Sequence, residues 1–510
     1  MSRRLHRLPA GSGLRPDPGI RPPSSQPMKP APLLAALTLA LLAACSQVPT
    51  YEPPTLPDAA QWRETAPGWM AAAPADTLAR GPWWSLFGDP QLDALVPRVE
   101  VSNQNVAAAR AAVSQSQALV REQRAAFFPT LGIDATATRA GVGGSVSTGS
   151  NSGGTSFSAT GNRFTVGLDA SWEADVWGRI AANVSAAEAS AQASAADLAN
   201  ATLSAQAAFV ADYLSLREAD AEMAILKATI AGYQRALQIT RNRYAAAIAQ
   251  KSDVLQAQTT LANAQAELAG VVQSRAALAH AMAVLVGQAP TTFEVPPGDW
   301  ASTVVPAVPV GVPSTLLQRR PDIAAAERAV AAANAGIGVA RSAWFPALTL
   351  SGSLQQNASS LTHLFDASSM TWSFGLAIAE TIFDGGARSA QVDAARAAWE
   401  QSVAQYRATV LTAFQAVEDQ LSAAGTLEEQ QARRREASEA ADQTEQQMLN
   451  RYREGIVSYT EVVTAQASAL SARRALLQVS LQRQTAAVAM ISALGGGWTT
   501  ERLAADGPQR

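Results

Sequence analysis

The 510-residue chain is short of the groups that most site chemistry needs. Its one cysteine, Cys45, excludes an internal disulfide. Its three histidines, His6, His280 and His363, are far apart and have no neighbouring ligands in sequence. That pattern speaks against a histidine-based metal site or a Ser-His-Asp triad. A net charge of −3 offers no basic face for nucleic acid. No phosphate-cradling loop or nucleophile motif occurs, so no catalytic residue, cofactor or metal is expected, and the chain does not read as an enzyme. Proline is missing from Ile180 to Ala245, a stretch rich in Ala, Gln and Ser. An unbroken helix there would approach roughly 100 Å at ~1.5 Å per residue.

What is present is written twice. Arg243-Tyr244 opens one stretch and Arg451-Tyr452 another, 208 residues later (451 − 243). Each breaks helical regularity briefly, then resumes with an acidic residue (Asp253, Glu461) and ends in Ala-Gln (257–258, 465–466). Each reads as the tip of a helical hairpin. The returning helix after the first tip carries a heptad seam at Leu261, Ala264, Leu268, Val271, Arg275, Leu278, Met282 and Leu285. The second repeats it 208 positions on, from Ala469 to Ala493, and even the polar interruption recurs as Arg483. A chain this long suggests several domains, but a repeat of this size makes it one architecture with two duplicated halves.

The amino terminus reads as a targeting segment. Residues 1–44 comprise an extension and a signal peptide, with Met28 as the biological start and an apolar core from Ala31 to Ala44. Leu42-Ala43-Ala44-Cys45 resembles a lipobox, with Cys45 the lipidated residue; an ordinary signal peptide with a chance cysteine is the alternative. An irregular arm rich in Pro and Trp (46–90) and the first repeat together span 45–288. A Pro-rich connector covers 289–318, the second repeat 319–495 and a tail 496–510. The first helix is expected from Pro90, capped by Asp89, to about Ala126.

Between the helices the period changes to two. Leu131, Ile133, Ala135 and Ala137 alternate with polar residues, and so do Phe164, Val166, Leu168, Ala170 and Trp172. A Gly/Ser/Thr-rich loop is expected at about 140–161. The second half repeats the pattern at Leu348–Leu354 and Trp372–Ile378. Phe127-Phe128-Pro129 and Trp344-Phe345-Pro346 precede the two pairs. Nine or ten residues per strand suit a tilted transmembrane β-strand. Asp134 and Asp169 fall on the polar face. Four strands cannot close a barrel, and open edges are not tolerated in hydrocarbon. The chain must therefore oligomerise, and a trimer supplies twelve strands.

These segments, together with Trp172-Glu173, Val176-Trp177-Gly178-Arg179, Arg319-Arg320-Pro321-Asp322-Ile323, Phe383-Asp384-Gly385-Gly386 and Arg451-Tyr452-Arg453-Glu454-Gly455, resemble the TolC/OprM family of outer-membrane efflux channels, lipoprotein branch. The resemblance covers essentially the whole chain after Cys45. It implies an α+β, mainly α membrane protein: a trimeric twelve-stranded β-barrel, four strands per chain, continued by a long periplasmic α-helical barrel. It implies the outer membrane of a Gram-negative bacterium, a homotrimer lipid-anchored through Cys45, and two partners, an inner-membrane pump of the resistance-nodulation-division class and a periplasmic adaptor. It implies a passive conduit for small molecules and drugs, gated at the helical tips.

By the same resemblance Asp253 and Glu461 hold the acidic positions of the gate. A second acid often found three residues on is replaced by Gln256 and Thr464. Asp253 also reads as a helix N-cap. Arg243 and Arg451 read as partners of carboxylates on neighbouring helices, or as solvated surface charge. Ala247, Ile248, Ala249, Gly455, Ile456 and Val457 are the adaptor-contact candidates, and Ala247, where the family prefers glycine, implies a differently shaped first tip. Tyr406, Tyr452 and Tyr459 read as packing residues. Two other functions stay open at this point: the outer-membrane channel of a type I protein secretion system, and a lipid-anchored coiled-coil adaptor or scaffold without a pore.

Overall fold

The computed structural model describes residues 47–55, 62–63, 82–146, 155–298, 300, 304–306, 308 and 319–497. The proposed signal peptide, lipobox and Cys45, and the tail beyond Gly497, lie outside the described residues.

The first helical region is two helices rather than the one expected. α1 (Pro90–Ser102) begins at Asp89, whose carboxylate accepts from the Gln91 amide at 2.8 Å. α2 (Gln104–Ala125) begins at Asn103. The break has a side-chain cause: the Asn103 carboxamide accepts from the amides of Asn105 and Val106, at 2.9 and 3.1 Å, and so starts a new helix. Its Nδ2 donates to Leu285 O, 2.8 Å away, at the end of another helix. The arm before α1 contains one turn of 3-10 helix, Trp83–Phe87.

β1 (Thr130–Val146) and β2 (Thr155–Glu173) are longer than their sequence signal. The ladder runs unbroken from Thr130↔Ser171 to Val146↔Thr155, so most of the expected 140–161 loop is strand. β3 (Ala347–Ala358) and β4 (Met370–Ala379) are close to the expected length. The four form one antiparallel sheet in the order β1-β2-β3-β4.

The long helices repeat to the residue. α3 (Arg179–Ala245) and α6 (Ala387–Arg453) each have 67 residues, and α4 (Lys251–Leu285) and α7 (Tyr459–Ala493) each have 35, all offset by 208 (387 − 179, 459 − 251). α5 (Pro321–Ser342) matches α2 at 22 residues, offset 217 (321 − 104). Every heptad position of α4 is buried or half-buried, as the seam requires.

The shorter helices are spliced end to end. Asn103, at the start of α2, caps the end of α4 as described; Arg320, at the start of α5, donates from Nη1 to Ala493 O of α7 at 2.9 Å. Gly287 and Gly495 seal the joints. A Cβ on either would stand 2.0 Å from a main-chain oxygen, of Ser102 or Arg319, and both have positive φ.

The chain thus builds a row of helices. Near the sheet the order is α2-α3-α5-α6, and towards the tips α4-α3-α7-α6. Burial follows the row: α3 has twenty-two buried residues, and α6, of equal length, has nine. Small side chains allow the close approach inside it, as where Ala196 of α3 meets Ala324 and Ala325 of α5. A larger apolar cluster of Phe87, Leu92, Phe209, Leu214, Met282 and Met490 lies where α1 crosses α3, each large side chain contributing about 1.5–3 kcal/mol by burial. The described residues after α4 pack on α3 and α4: Phe293 and Val295 are buried, and the Val295 and Pro296 carbonyls accept from Arg275 and Arg217.

Candidate functional site

The two hairpin tips form one unit. Leu237 of α3, Ala257 of α4, Tyr452 of α6 and Tyr459 and Val462 of α7 make its buried core. Tyr452 and Tyr459 meet edge to face, 5.3 Å between centroids, and the Tyr452 hydroxyl donates to Thr240 Oγ1 of α3 at 3.3 Å. Burial pushes the Tyr459 hydroxyl up to about 12, with smaller contributions from Tyr452, Tyr233 and Asp253. The packing role expected for Tyr406, Tyr452 and Tyr459 holds, since all three are buried.

Arg243 closes this unit, in a way the sequence did not reveal. Its Nη1 donates to the carbonyls of Tyr452 at 2.9 Å and Arg453 at 3.2 Å, and its guanidinium lies over the Tyr452 ring, 4.8 Å from the centroid. Its partners are carbonyls of the last turn of α6, not a carboxylate. The second arginine, Arg451, is exposed and has no ion pair among the described residues.

The two turns have the same shape, against the expectation for Ala247. Ala247 has φ 58° and Gly455 φ 81°, both left-handed. Ile248 N donates to Arg243 O and Ile456 N to Arg451 O, each at 2.9 Å. Both tips are therefore Schellman turns, and the hydrogen bonding holds Ala247 in a conformation that favours glycine. Ile248 and Ile456 are the exposed apolar points of the tips, at 65% and 60%; Gly455 is exposed, Ala249 and Val457 half-buried.

Asp253 is the third residue of α4, not its N-cap. Gln250 is the cap, and its amide donates to Asp253 Oδ2 at 3.2 Å. Glu461 repeats this arrangement, accepting from the Ser458 amide at 3.1 Å. Each carboxylate belongs to a capping box, which fixes it at a helix start where negative charge is favoured. Gln256 and Thr464 are exposed one turn further on, and the Thr464 hydroxyl donates back to Thr460 O at 3.0 Å.

Above the tips, α3, α4 and α7 enclose a groove of about 740 Å³ lined by Glu218, Glu222, Gln256, Glu267 and Arg474. Arg474 bridges Glu222 at 2.5 Å and Glu267 at 3.4 Å. Burial, then the nearby Glu222 charge, pushes the Glu218 carboxyl up to about 7, and Arg474 only partly opposes this. Further along, the heptad-breaking arginines find acids at matched positions. Arg275 pairs with Asp220 at 2.5 Å and Arg483 with Glu428 at 3.7 Å, and the acids are again 208 apart (428 − 220). Arg217, 1% exposed, donates to Asp220 at 3.1 Å, to Tyr213 Oη at 2.9 Å and to the connector carbonyl of Pro296 at 2.7 Å. The sequence held no local sign of that network, whose members are up to 79 residues apart in these bonds.

The sheet has two unlike faces. Leu131↔Ala170, Ile133↔Leu168, Leu168↔Leu354 and Leu354↔Trp372 place apolar side chains in register across all four strands. Ile133, Trp372 and Phe374 are 79%, 73% and 72% exposed. The other face carries Asp134, Thr165, Asp169, Ser353 and Ser373. Trp172, Trp177, Trp344 and Phe383 cluster where strands join helices, as at a membrane interface. An apolar outer band and a polar inner face are what a transmembrane barrel strand requires.

The profile of the family described as outer membrane efflux protein matches residues 95–288 and again 312–496. The chain belongs to that family. The matched segments start 217 apart (312 − 95) and end 208 apart (496 − 288), the offsets of the helices. Among curated relatives, the toluene efflux pump outer membrane protein TtgC of Pseudomonas putida is 32% identical over 472 residues, covering 91% of this chain and 95% of the relative. Outer membrane protein OprJ of Pseudomonas aeruginosa is 32% identical over 482 residues, covering 93% and 98%. Among solved structures, the outer-membrane channel OprN superposes with a TM-score of 0.80 at 30% identity, covering 89% of this chain and 100% of that one. This outer membrane efflux protein is therefore an outer-membrane channel component of a Gram-negative bacterium, with the α+β, mainly α architecture its sequence implied.

Proposed function

We propose that three copies of this efflux protein close into one channel, which carries small molecules outward as the passive outer-membrane part of a pump assembly. The observation that carries this reading is the coincidence of open edges. The sheet ends at β1 and β4. The helix row ends at α2/α4, the splice leading into β1, and at α6, which follows β4. Strand edges and helix edges are therefore open on the same two sides, and one contact, repeated around an axis, closes both.

α4 supports the same closure. It is long and apolar enough to cross a membrane, its most apolar 18-residue window having mean hydropathy 1.4, yet only 17% of that window is buried. An apolar helix at the end of a row, far along the chain from the sheet, fits burial against α6 of the next copy. Twelve strands then surround a polar lumen lined by Asp134 and Asp169.

The tips form the inner mouth in this reading, with Asp253 and Glu461 as carboxylate rings, Gln256 and Thr464 one turn above them, and Arg243 as a latch that holds the two hairpins of a protomer together. Ala247, Ile248, Ala249, Gly455, Ile456 and Val457 present the surface for a periplasmic adaptor, beyond which an inner-membrane pump of the resistance-nodulation-division class supplies energy. Cys45 carries the lipid anchor. Deletion of the gene in its host should raise susceptibility to pump substrates, and the wild-type chain should restore resistance. Unaltered susceptibility to every compound exported by its pump would refute the efflux role.

A further inference from the structure

The latch made by Arg243 has a counterpart, Arg451, whose side chain makes no hydrogen bond or ion pair among the described residues. Arg243 ends α3 in the first half and caps α6 in the second. Moving every position by 208 turns Arg243 into Arg451, Tyr452 into Tyr244 and Arg453 into Ala245. Within the protomer this second set is incomplete: Arg451 is exposed, and Tyr244 is 47% exposed at the end of α3, the same helix that carries Arg243. Arg451 has no ion pair among the described residues, and the Tyr244 carbonyl of α3 takes the Ala247 amide at 2.9 Å just as the Tyr452 carbonyl of α6 takes the Gly455 amide at 3.0 Å, where Arg243 is a second donor.

We infer that Arg451 of one copy caps the C-terminus of α3 in the next copy, donating to the Tyr244 and Ala245 carbonyls with its guanidinium over the Tyr244 ring. This rests on the ring proposed above. The step from first half to second within a protomer takes the α4-α3 hairpin to the α7-α6 hairpin. The next such step leads from α6 across the open edge to the neighbour's hairpin. Because the turns are alike, with φ 58° and 81° and matching 2.9 Å bonds, the acceptor carbonyls at the end of α3 have the geometry that receives Arg243 at the end of α6. The contact is a charge-assisted cap plus a cation–π stack, both open to an arginine at a helix end.

The two latches differ in their surroundings. Tyr452 is supported by the Thr240 hydroxyl and the Tyr459 ring. The matching positions around Tyr244 are Met448, which gives no hydroxyl, and Lys251, which adds positive charge beside Arg451. The contact between copies is therefore the weaker of the two, and the mouth separates at copy boundaries before the hairpins of one protomer part.

Two measurements on the full-length protein test this. In the first, Arg451→Cys is combined with Ala245→Cys and treated with a short bismaleimide, with each single variant as control. Covalent dimers and trimers on denaturing gels are expected only from the double variant. No cross-link above the controls in a preparation that native mass spectrometry shows to be trimeric overturns the contact and leaves the channel reading intact. A monomer in that mass spectrum overturns both.

In the second, hydrogen exchange is followed in Arg451→Ala. Within one chain the Arg451 side chain makes no hydrogen bond or ion pair with the first tip among the described residues, so faster exchange there points to a neighbour. Amides of 245–250 should exchange roughly three- to ten-fold faster, as expected for loss of a charged hydrogen bond and a cation–π contact, with Arg451→Lys restoring part of the protection. Unchanged exchange at 245–250 overturns the inference.

Discussion

Exchanging the two turn residues, Ala247→Gly and Gly455→Ala, should move the stability of the two tips in opposite directions. The hydrogen bonding at the tips is alike: Ile248 N and Ile456 N reach back to the carbonyls of Arg243 and Arg451 at the same 2.9 Å. What differs is the residue in the left-handed position, alanine at φ 58° and glycine at φ 81°. An L-residue with a Cβ costs roughly 1–2 kcal/mol there, and glycine's greater freedom in the open state returns part of that. Ala247→Gly should therefore stabilise the first turn by about 1 kcal/mol, and Gly455→Ala should destabilise the second by about as much. Steric clash does not complicate the second change, because a Cβ on Gly455 meets nothing closer than Arg243 Nη2 at 3.6 Å. Amide hydrogen exchange at Ile248 and Ile456 reads each turn directly. About 1 kcal/mol slows opening roughly five-fold in the first variant and speeds it by a similar factor in the second. If both variants shift the same way, or Ala247→Gly lowers protection, the shared-turn description is wrong.

Phe374→Arg places a charge on the apolar face and should cost about 2–4 kcal/mol of barrel stability near mid-membrane, while Ser373→Arg on the polar face should cost far less; denaturant titration of protein folded in bilayers compares them. Arg217→Met removes one partner of a buried ion pair while Asp220 keeps Arg275 and the Gly298 amide, so thermal unfolding should register a loss of about 1–3 kcal/mol. Glu218 has a folded pKa of about 7, above its ordinary 4.5, so the folded chain keeps a proton that the unfolded chain releases. Its contribution is full below pH 4.5, falls as the pH rises to about 7 and is level above that. Melting temperatures from pH 4.5 to 8 should decline less in Glu218→Gln than in the parent.

Much of this fold was legible because its signals are periodic. The heptad seam from Leu261 to Leu285 marks the buried stripe of α4, and the alternation from Leu131 to Ala137 marks the exposed apolar face of β1. The misses are positions where one side chain or a long-range contact decides. Asn103 splits a helix by offering its own carboxamide to the next amides, which an alanine-rich pattern on both sides conceals. The outer parts of β1 and β2 are rich in Gly, Ser and Thr, and Val142, Val146 and Phe157 are too sparse among them to mark the pairing. Arg243 looked like a partner for a carboxylate because charge is visible in sequence, whereas the helix-end carbonyls of Tyr452 and Arg453 are not. Ala247 suggested a different turn because residue preference is local, but the bonds on either side of it impose the left-handed conformation. The capping boxes at Asp253 and Glu461 could have been found, since a cap residue three positions before an acid marks a helix start.

A chain open at matching strand and helix edges should close as a ring of three around one pore. Native mass spectrometry of the purified protein, with single-channel recording of the same preparation in planar bilayers, tests it most directly. A species of three copies is expected, with one conducting unit per trimer and a low basal conductance that rises in Arg243→Ala. A folded monomer, or a trimer that leaves the bilayer non-conducting in both forms, would contradict it.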